Sequence, residues 1–399
     1  MNNNLKLSFR LTEETDFSYC DRGGKETLSG KIADGILICN VHYDFQERPP
    51  LQLTAEVNLN DSVEIILMPY RMELWVNSVL KDEEWPAGDR LFNISDILNS
   101  KLQILVEEYA PKNSNPPAII SEFENAEGWQ PEENVFVGDC MPYVCDGRYH
   151  VLYLKDRHHH SSKWGLGAHQ WEHISTADFK TWQTHPMAIE IHDPTEGSIC
   201  TGSFIKDGDT YYLFYTIRMA DGSPAPIKRS VSKDGYHFTK DRSFSLILSE
   251  KYNAPSARDP KVILDKDGLY HMFLTTSIGE NGCLAHLVSE DLTEWEECET
   301  PIYTHSDSEQ PECPDYIEYN GYYYLIYSIG GKAHYMYSKE PFGPWIVPEN
   351  PIIPCSSVPK GAIWNNQIIF TGFIGKGGYA GTMTFKSAVN NSEGVLIFE

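Results

Sequence analysis

The chain has almost no helical periodicity: in 399 residues, apolar side chains rarely recur at the spacing an amphipathic helix needs to bury one face. No window approaches the roughly 20 apolar residues of a membrane-spanning helix. The start, "MNNNLKLSFRLTEETDF", lacks a basic head followed by an apolar run. Neither a membrane partner nor export through a leader is therefore expected. Positive charge is scarce too, with 32 Lys and Arg against 57 Asp and Glu and a net charge of −25. Such a surface repels nucleic acid, anionic membrane and polyanionic substrates, and leaves neutral or cationic ligands. The nine cysteines are odd in number and scattered, without the paired spacing of a zinc site. Reduced thiols in a cytoplasmic protein fit them. "RHHHSSKW" (Arg157–Trp164) holds three adjacent histidines, which cannot converge on one ion unaided, and reads as a polar loop. No metal and no cofactor is expected.

What the chain does have is aromatic side chains, 12% of residues, in short alternating runs bounded by Gly, Asn and Asp. That pattern predicts an all-β protein. Over residues 1–110 the runs include "LKLSFRL", "GILICNVHY", "LQLTAEVNL" and "SVEIILMPYRMELWVNSVL", the last read as two strands around a tight Pro-Tyr-Arg connection. They predict a small antiparallel β-sandwich, an accessory domain that is also a candidate contact for a homo-oligomer. Residues 111–133, rich in Pro and Asn, read as a linker.

From Asn134 to the end a unit repeats. Its first part is a turn and an aromatic strand: "CDGRYHVLYLKD", "KDGDTYYLFYTIR", "KDGLYHMFLTTS", "YNGYYYLIYSIG" and the weaker "WNNQIIFTGFIG". Its second part is a strand-turn unit closed by an aromatic: "STADFKTWQ", "SKDGYHFTK", "SEDLTEWEE" and "SKEPFGPWI". Copies 45–60 residues apart match a four-stranded blade, and residues 134–399 hold five of them. The predicted fold is a five-bladed β-propeller preceded by the sandwich.

Three acids precede aromatic strands at what read as equivalent blade positions: Asp139 in "ENVFVGDCMP", Asp259 in "APSARDPKV" and Glu312 in "SEQPECPD". One acid at a strand entrance is ordinary turn chemistry. Three that face a shared axis match glycoside hydrolysis, which needs two carboxyl groups across the scissile bond, one of them a proton donor. Arg258 can hold a carboxylate by a paired hydrogen bond.

"ARDPKV" and "PECPD" resemble the RDP and ECP motifs of glycoside hydrolase family 32, the invertase and fructanase group. "CTGSFI" (Cys200–Ile205) is similar to its second-blade Ser-Gly-Ser motif, and "HQWEHISTADFKTW" (His169–Trp182) to the end of its first blade. The resemblance implies a five-bladed propeller and a retaining β-fructofuranosidase acting on small sucrose- or fructan-derived oligosaccharides. It implies Asp139 as nucleophile, Glu312 as general acid/base and Asp259 as the residue binding sugar hydroxyls, supported by Arg258. Phe136, Trp164, Trp171 and Ser203 are candidates to line the sugar site, while His173 reads as structural. The sequence departs from the family's Trp-Met-Asn-Asp-Pro-Asn-Gly motif, reading "FVGDCMP" from Phe136 to Pro142, so that Gly138 replaces an amide. Leu154 stands where a Gln is usual, and the sandwich precedes the propeller instead of following it. Two alternatives stay open: an inverting furanosidase of the arabinanase and xylosidase group, and a sugar-binding propeller without catalysis.

Overall fold

The computed structural model describes residues 4–42, 51–68, 71–84, 92–110, 115–159, 169–191, 196–219 and 223–399. Among them are 31 strands and one 3-10 turn, Ala254–Ser256; no helix is long and apolar enough to cross a membrane. The chain divides into two compact units, one built mainly from residues up to Asn115, the other mainly from Pro116 onward.

The first unit has two five-stranded antiparallel sheets. One runs Leu105–Glu108, Leu5–Arg10, Ser62–Leu67, Met72–Val76, Val79–Glu84; the other runs Leu51–Glu56, Ile36–Val41, Glu26–Ala33, Asp16–Cys20, Ile97–Ser100. Strict alternation explains the burial. Leu5, Leu7 and Phe9 point inward from one sheet and Leu51, Leu53 and Ala55 from the other, into one apolar core. The hairpin expected in "EIILMPYRMELW" forms, with Leu67 opposite Met72; its Pro69 and Tyr70 lie outside the described residues.

The second unit is a series of antiparallel runs. They begin with Phe136–Cys145, Glu196–Asp207, Arg258–Leu264, Glu312–Tyr319 and Lys360–Trp364, each followed by its hairpin partner. The last run joins the first in a nine-stranded sheet through the pair Val137 and Gly381. The repeated sequence signals have direct physical counterparts. Asp146-Gly147 and Asn320-Gly321 both adopt positive φ, which a two-residue hairpin demands. In "STADFKTW" the Asp178 carboxylate accepts the N–H groups of Lys180 and Thr181; Asp234 and Asp291 make the same turn in the next two copies. The linker reading needs correction in one place. Ser121–Glu124 is a strand paired with Thr181–Thr184, because Phe123 stacks on Trp129 (4.3 Å) and packs against buried Trp182.

Hydrogen bonds tie the opening strands of successive runs together. Gly202 N–H meets Met141 Sδ (3.2 Å), Val262 N–H donates to Ser203 Oγ (2.9 Å), Lys261 pairs with Asp315 (2.5 Å), and Gly361 N–H donates to the same carboxylate (2.7 Å). These bonds stack the strand entrances that carry the candidate acids.

Between the first two runs lies a buried ring cluster of Tyr143, His150, His173 and His185, with His150 Nδ1 3.0 Å from His173 Nε2. Burial, with His185 and Arg148 nearby, pushes His150 down to about 3, and burial pushes His185 down to about 4. Both are neutral in the folded chain, whereas unfolding lets them take protons near pH 6.5. The unfolded state thus gains protons as pH falls below that value, and stability is lost progressively toward the folded values. Thermal unfolding should show a midpoint that drops from pH 7 to pH 5, with a shallower slope in His185→Asn. An unchanged slope in that variant would refute the assignment.

Candidate active site

Each of the three candidate acids sits at a register shift in its opening strand. The shifts fall between Val137 and Cys140, Arg258 and Lys261, and Glu312 and Asp315. Such bulges re-aim side chains at strand ends. Two of them place a non-glycine residue in the left-handed region, Asp259 at φ 59° and Cys313 at φ 51°. The acids are therefore not at equivalent positions, as the sequence reading had them. Glu312 is the last paired residue before its shift, Asp259 comes one residue after that point, and Asp139 two after. Sequence motifs align by residue type, whereas the bulge sets direction, so the stagger brings the Asp139 and Asp259 carboxyls to one place, with Glu312 tied to Asp259 through Arg258.

That place is marked by Cys313. Its buried thiol lies 3.6 Å from both Asp139 Oδ2 and Asp259 Oδ2. Asp139 is 9% exposed; burial first, then the negative charges of Asp259 and Glu312, push its carboxyl up to about 7 against the pull of hydrogen bonds from Tyr379 and Cys313. The Tyr379 hydroxyl donates to Asp139 Oδ1 at 2.8 Å. Asp259 is more fully satisfied: Thr201 Oγ donates to Oδ1 (2.7 Å), and Cys313 N–H donates to Oδ2 (3.1 Å).

Glu312 differs, with its side chain 51% exposed. Arg258, buried, donates to Glu312 Oε1 at 2.7 Å and to Gln310 Oε1 at 2.5 Å, while its Nε lies 3.6 Å from Asp259 Oδ2. One guanidinium thus links two of the three acids. The neighbouring acids of "SEQPECPD" have other work. Glu309 accepts Gly330 N–H (2.6 Å) in a turn, and fully buried Asp315 anchors Lys261 and Gly361. Lys360 is buried beside them, donates to the Gly202 carbonyl at 3.0 Å, and is pushed down by burial.

Residues 127–342 match the model of the glycosyl hydrolases family 32 N-terminal domain, just over half of the chain. The chain belongs to glycosyl hydrolase family 32. This family-32 chain is 27% identical over 195 residues to sucrose-6-phosphate hydrolase of Escherichia coli, an alignment covering 46% of the chain and 39% of the relative. It is 28% identical over 219 residues to fructan 1-exohydrolase of Aegilops speltoides, covering 52% and 36%. The alignments thus span less than half the length of these relatives. In fold it is similar to fructan 1-exohydrolase IIa from Cichorium intybus (TM-score 0.57, 17% identity, 69% of this chain and 60% of that one). It is also similar to a family-43 β-xylosidase/α-arabinofuranosidase, CoXyl43, from a compost metagenome (TM-score 0.53, 16% identity, 69% and 98%).

The remaining candidates of the family-32 chain scatter. Phe136 is half-buried and stacks on His159 at 4.3 Å, at the same strand entrance as Asp139. Trp171 is fully buried, donates to the Cys200 carbonyl (3.1 Å), and packs where a side chain on Gly202 would sit, so its ring belongs to the core. Ser203 is buried, with its hydroxyl accepting Val262 N–H between strands. Trp164 lies outside the described residues. His173 is buried in the ring cluster, away from bulk solvent. Thr201 belongs to the "CTGSFI" motif without a predicted site role, and Tyr379, Gln310 and Lys360 have none. Of these three, Tyr379 carries a signal, as the one aromatic in the glycine-rich "GKGGYAG". Among the described residues one group could hold a metal ion, Asp265, Asp267 and His271; it lies at the hairpin that ends the strand of Asp259.

The raised carboxyl of Asp139 has a stability cost with a definite sign. The folded state holds its proton up to about pH 7, the unfolded chain only to about 3.8, so stability is lost as pH rises between the two. The shift corresponds to about 4 kcal/mol at most. Asp139→Asn should raise the unfolding midpoint at pH 8, and the gain should shrink as pH is lowered toward 4. A destabilised variant at pH 8 would show that the carboxylate is not strained there.

Proposed function

We propose that the chain is a retaining glycoside hydrolase that releases fructose from β-fructofuranosides, small sucrose- or fructan-derived oligosaccharides. The observation that carries this reading is the gathering of Asp139 and Asp259 on the Cys313 thiol, with Arg258 linking Asp259 to the more exposed Glu312. In its support, family membership brings relatives whose names include sucrose-6-phosphate hydrolase, fructan 1-exohydrolase and raffinose invertase. We read the five runs of the second unit as blades of a β-propeller, the catalytic domain of residues 134–399 with Ser121–Glu124 as an added outer strand. We read the two sheets of the first unit as an accessory β-sandwich over residues 1–110. Nine unpaired cysteines, five of them buried, favour a reducing cytoplasmic setting.

In this reading a carboxylate oxygen of Asp139 attacks the anomeric carbon while Glu312 gives its proton to the departing glycosidic oxygen. The fructosyl ester is then opened by water, which loses a proton to Glu312, and Asp139 leaves as carboxylate. Glu312 suits a group that must meet both leaving group and water, because it is the exposed member of the three. Asp259, held by Thr201 and the Cys313 N–H, presents a fixed acceptor to sugar hydroxyls. An inverting furanosidase remains the second reading, favoured by the fold likeness to the family-43 enzyme. It would need room for a water between the working carboxyls.

Proton NMR of reactions with sucrose, sucrose 6-phosphate, kestose, inulobiose and levanbiose, beside arabinofuranosyl and xylosyl controls, separates these readings. Early release of β-configured fructose is expected, and Asp139→Asn and Glu312→Gln should each cost at least ~10³-fold in rate. Turnover confined to the controls, with inverted product, would move the chain to the second reading. Because Asp139 must be ionised to attack, kcat/KM should fall as pH drops below about 7.

A further inference from the structure

Beside Asp139 stands Tyr379, carried by the glycine-rich "GKGGYAG" far along the chain. The hairpin joining Gln367–Gly375 to Gly381–Asn390 is closed by Lys376 N–H on the Ala380 carbonyl (3.0 Å). Close contact demands its glycines: a Cβ on Gly378 would lie 3.0 Å from the His159 ring, and one on Gly381 only 1.9 Å from the Ile374 carbonyl oxygen. The tip carries Tyr379 from the last run to the first. Its ring packs against Phe373 and His169 (5.2 and 5.4 Å between centroids), and its carbonyl accepts the Nδ1–H of His159.

The hydroxyl makes two bonds to one residue. It accepts Asp139 N–H at 3.2 Å and donates to Asp139 Oδ1 at 2.8 Å. With the backbone N–H directed at the oxygen, its single proton is left for the carboxylate. Oδ1 is thereby held, and among the described residues Oδ2 meets only the Cys313 thiol, at 3.6 Å. The room for this hydroxyl comes from Gly138, where a Cβ would sit 2.8 Å from Tyr379 Oη and 3.1 Å from Leu154 Cβ. A side chain at position 138 and this hydroxyl compete for one space.

We propose that Tyr379, admitted by Gly138, is the positioning residue of the Asp139 carboxylate, fixing Oδ1 as a spectator and leaving Oδ2 to react. This rests on the reading of Asp139 as nucleophile, and it adds a group from the far end of the chain. Two consequences follow. A hydrogen bond to the ionised form favours it, so the tyrosine opposes the effect of burial and of the neighbouring acids. A fixed Oδ1 also spares the carboxylate a rotation before attack.

The test is Tyr379→Phe, which keeps the ring. The acidic limb of its kcat/KM profile should move up by about one pH unit, and kcat at pH 6 should fall ~10-fold or more with KM changed less. Gly138→Ala should produce the same displacement with the tyrosine intact. The double variant should be no worse than Tyr379→Phe alone, since both remove one contact. In parallel, carbon-13 NMR of labelled aspartate, with Asp139→Asn assigning the signal, would titrate the Asp139 carboxyl in the free chain. Titration midpoints that coincide in wild type and Tyr379→Phe would overturn the proposal, even if the variant were less stable. A wild type inactive on every β-fructofuranoside, with the midpoint still raised in Tyr379→Phe, would sink the substrate reading and uphold this one.

Discussion

Burying two carboxyl groups against one thiol is the constraint on which the rest of the second unit depends. Asp139 and Asp259 repel each other, both are withdrawn from water, and Glu312 adds negative field close by. Such a cluster survives only if its surroundings supply fixed donors. They come from three opening strands and one hairpin tip: Thr201 and the Cys313 N–H on Asp259, Arg258 on Glu312, and Tyr379 of the last run on Asp139. Beneath them, Asp315 is held by Lys261 and Gly361, and Lys360 closes on Gly202. The polar bonds that hold the strands together and those that hold the acids are one network.

Under the proposed double displacement, the distribution of donors also sorts the acids by task. Asp259 has both oxygens hydrogen-bonded, to the Thr201 hydroxyl and the Cys313 N–H, with the Arg258 guanidinium beside one of them. Asp139 has one oxygen held and one nearly bare. Glu312 stands at the surface end on a guanidinium that it shares with Gln310. A fixed acceptor, a poised carboxylate and an accessible proton carrier are what a double displacement on a sugar requires.

Much of this was legible from residue order. Asp-Gly and Asn-Gly turns, Ser-x-Asp turns and aromatic alternation are local signals, and each forms the local structure its chemistry implies. The candidate acids stand out for a similar reason, since Arg-Asp-Pro and Glu-Cys-Pro stand just ahead of aromatic strands. Their phase was not, because a β-bulge shifts register without leaving a residue pattern that fixes which position faces inward. Trp171 and Ser203 show the same limit from the other side. An aromatic or a hydroxyl near a motif reads as a ligand contact until packing shows the ring fully covered, or the hydroxyl buried and accepting Val262 N–H between strands.

The sequence by itself determined the all-β class, the repeat, the family and the three acids, because these rest on local turn chemistry and on motifs kept in order. Only the tertiary structure decided how the acids are staggered and which of them is exposed. It alone revealed that Tyr379, 240 positions from Asp139, takes the space left by Gly138. The physical reason is distance along the chain. A bulge, a buried charge and a hydrogen bond between the first and last runs are properties of neighbours in space, and the linear order holds no record of them.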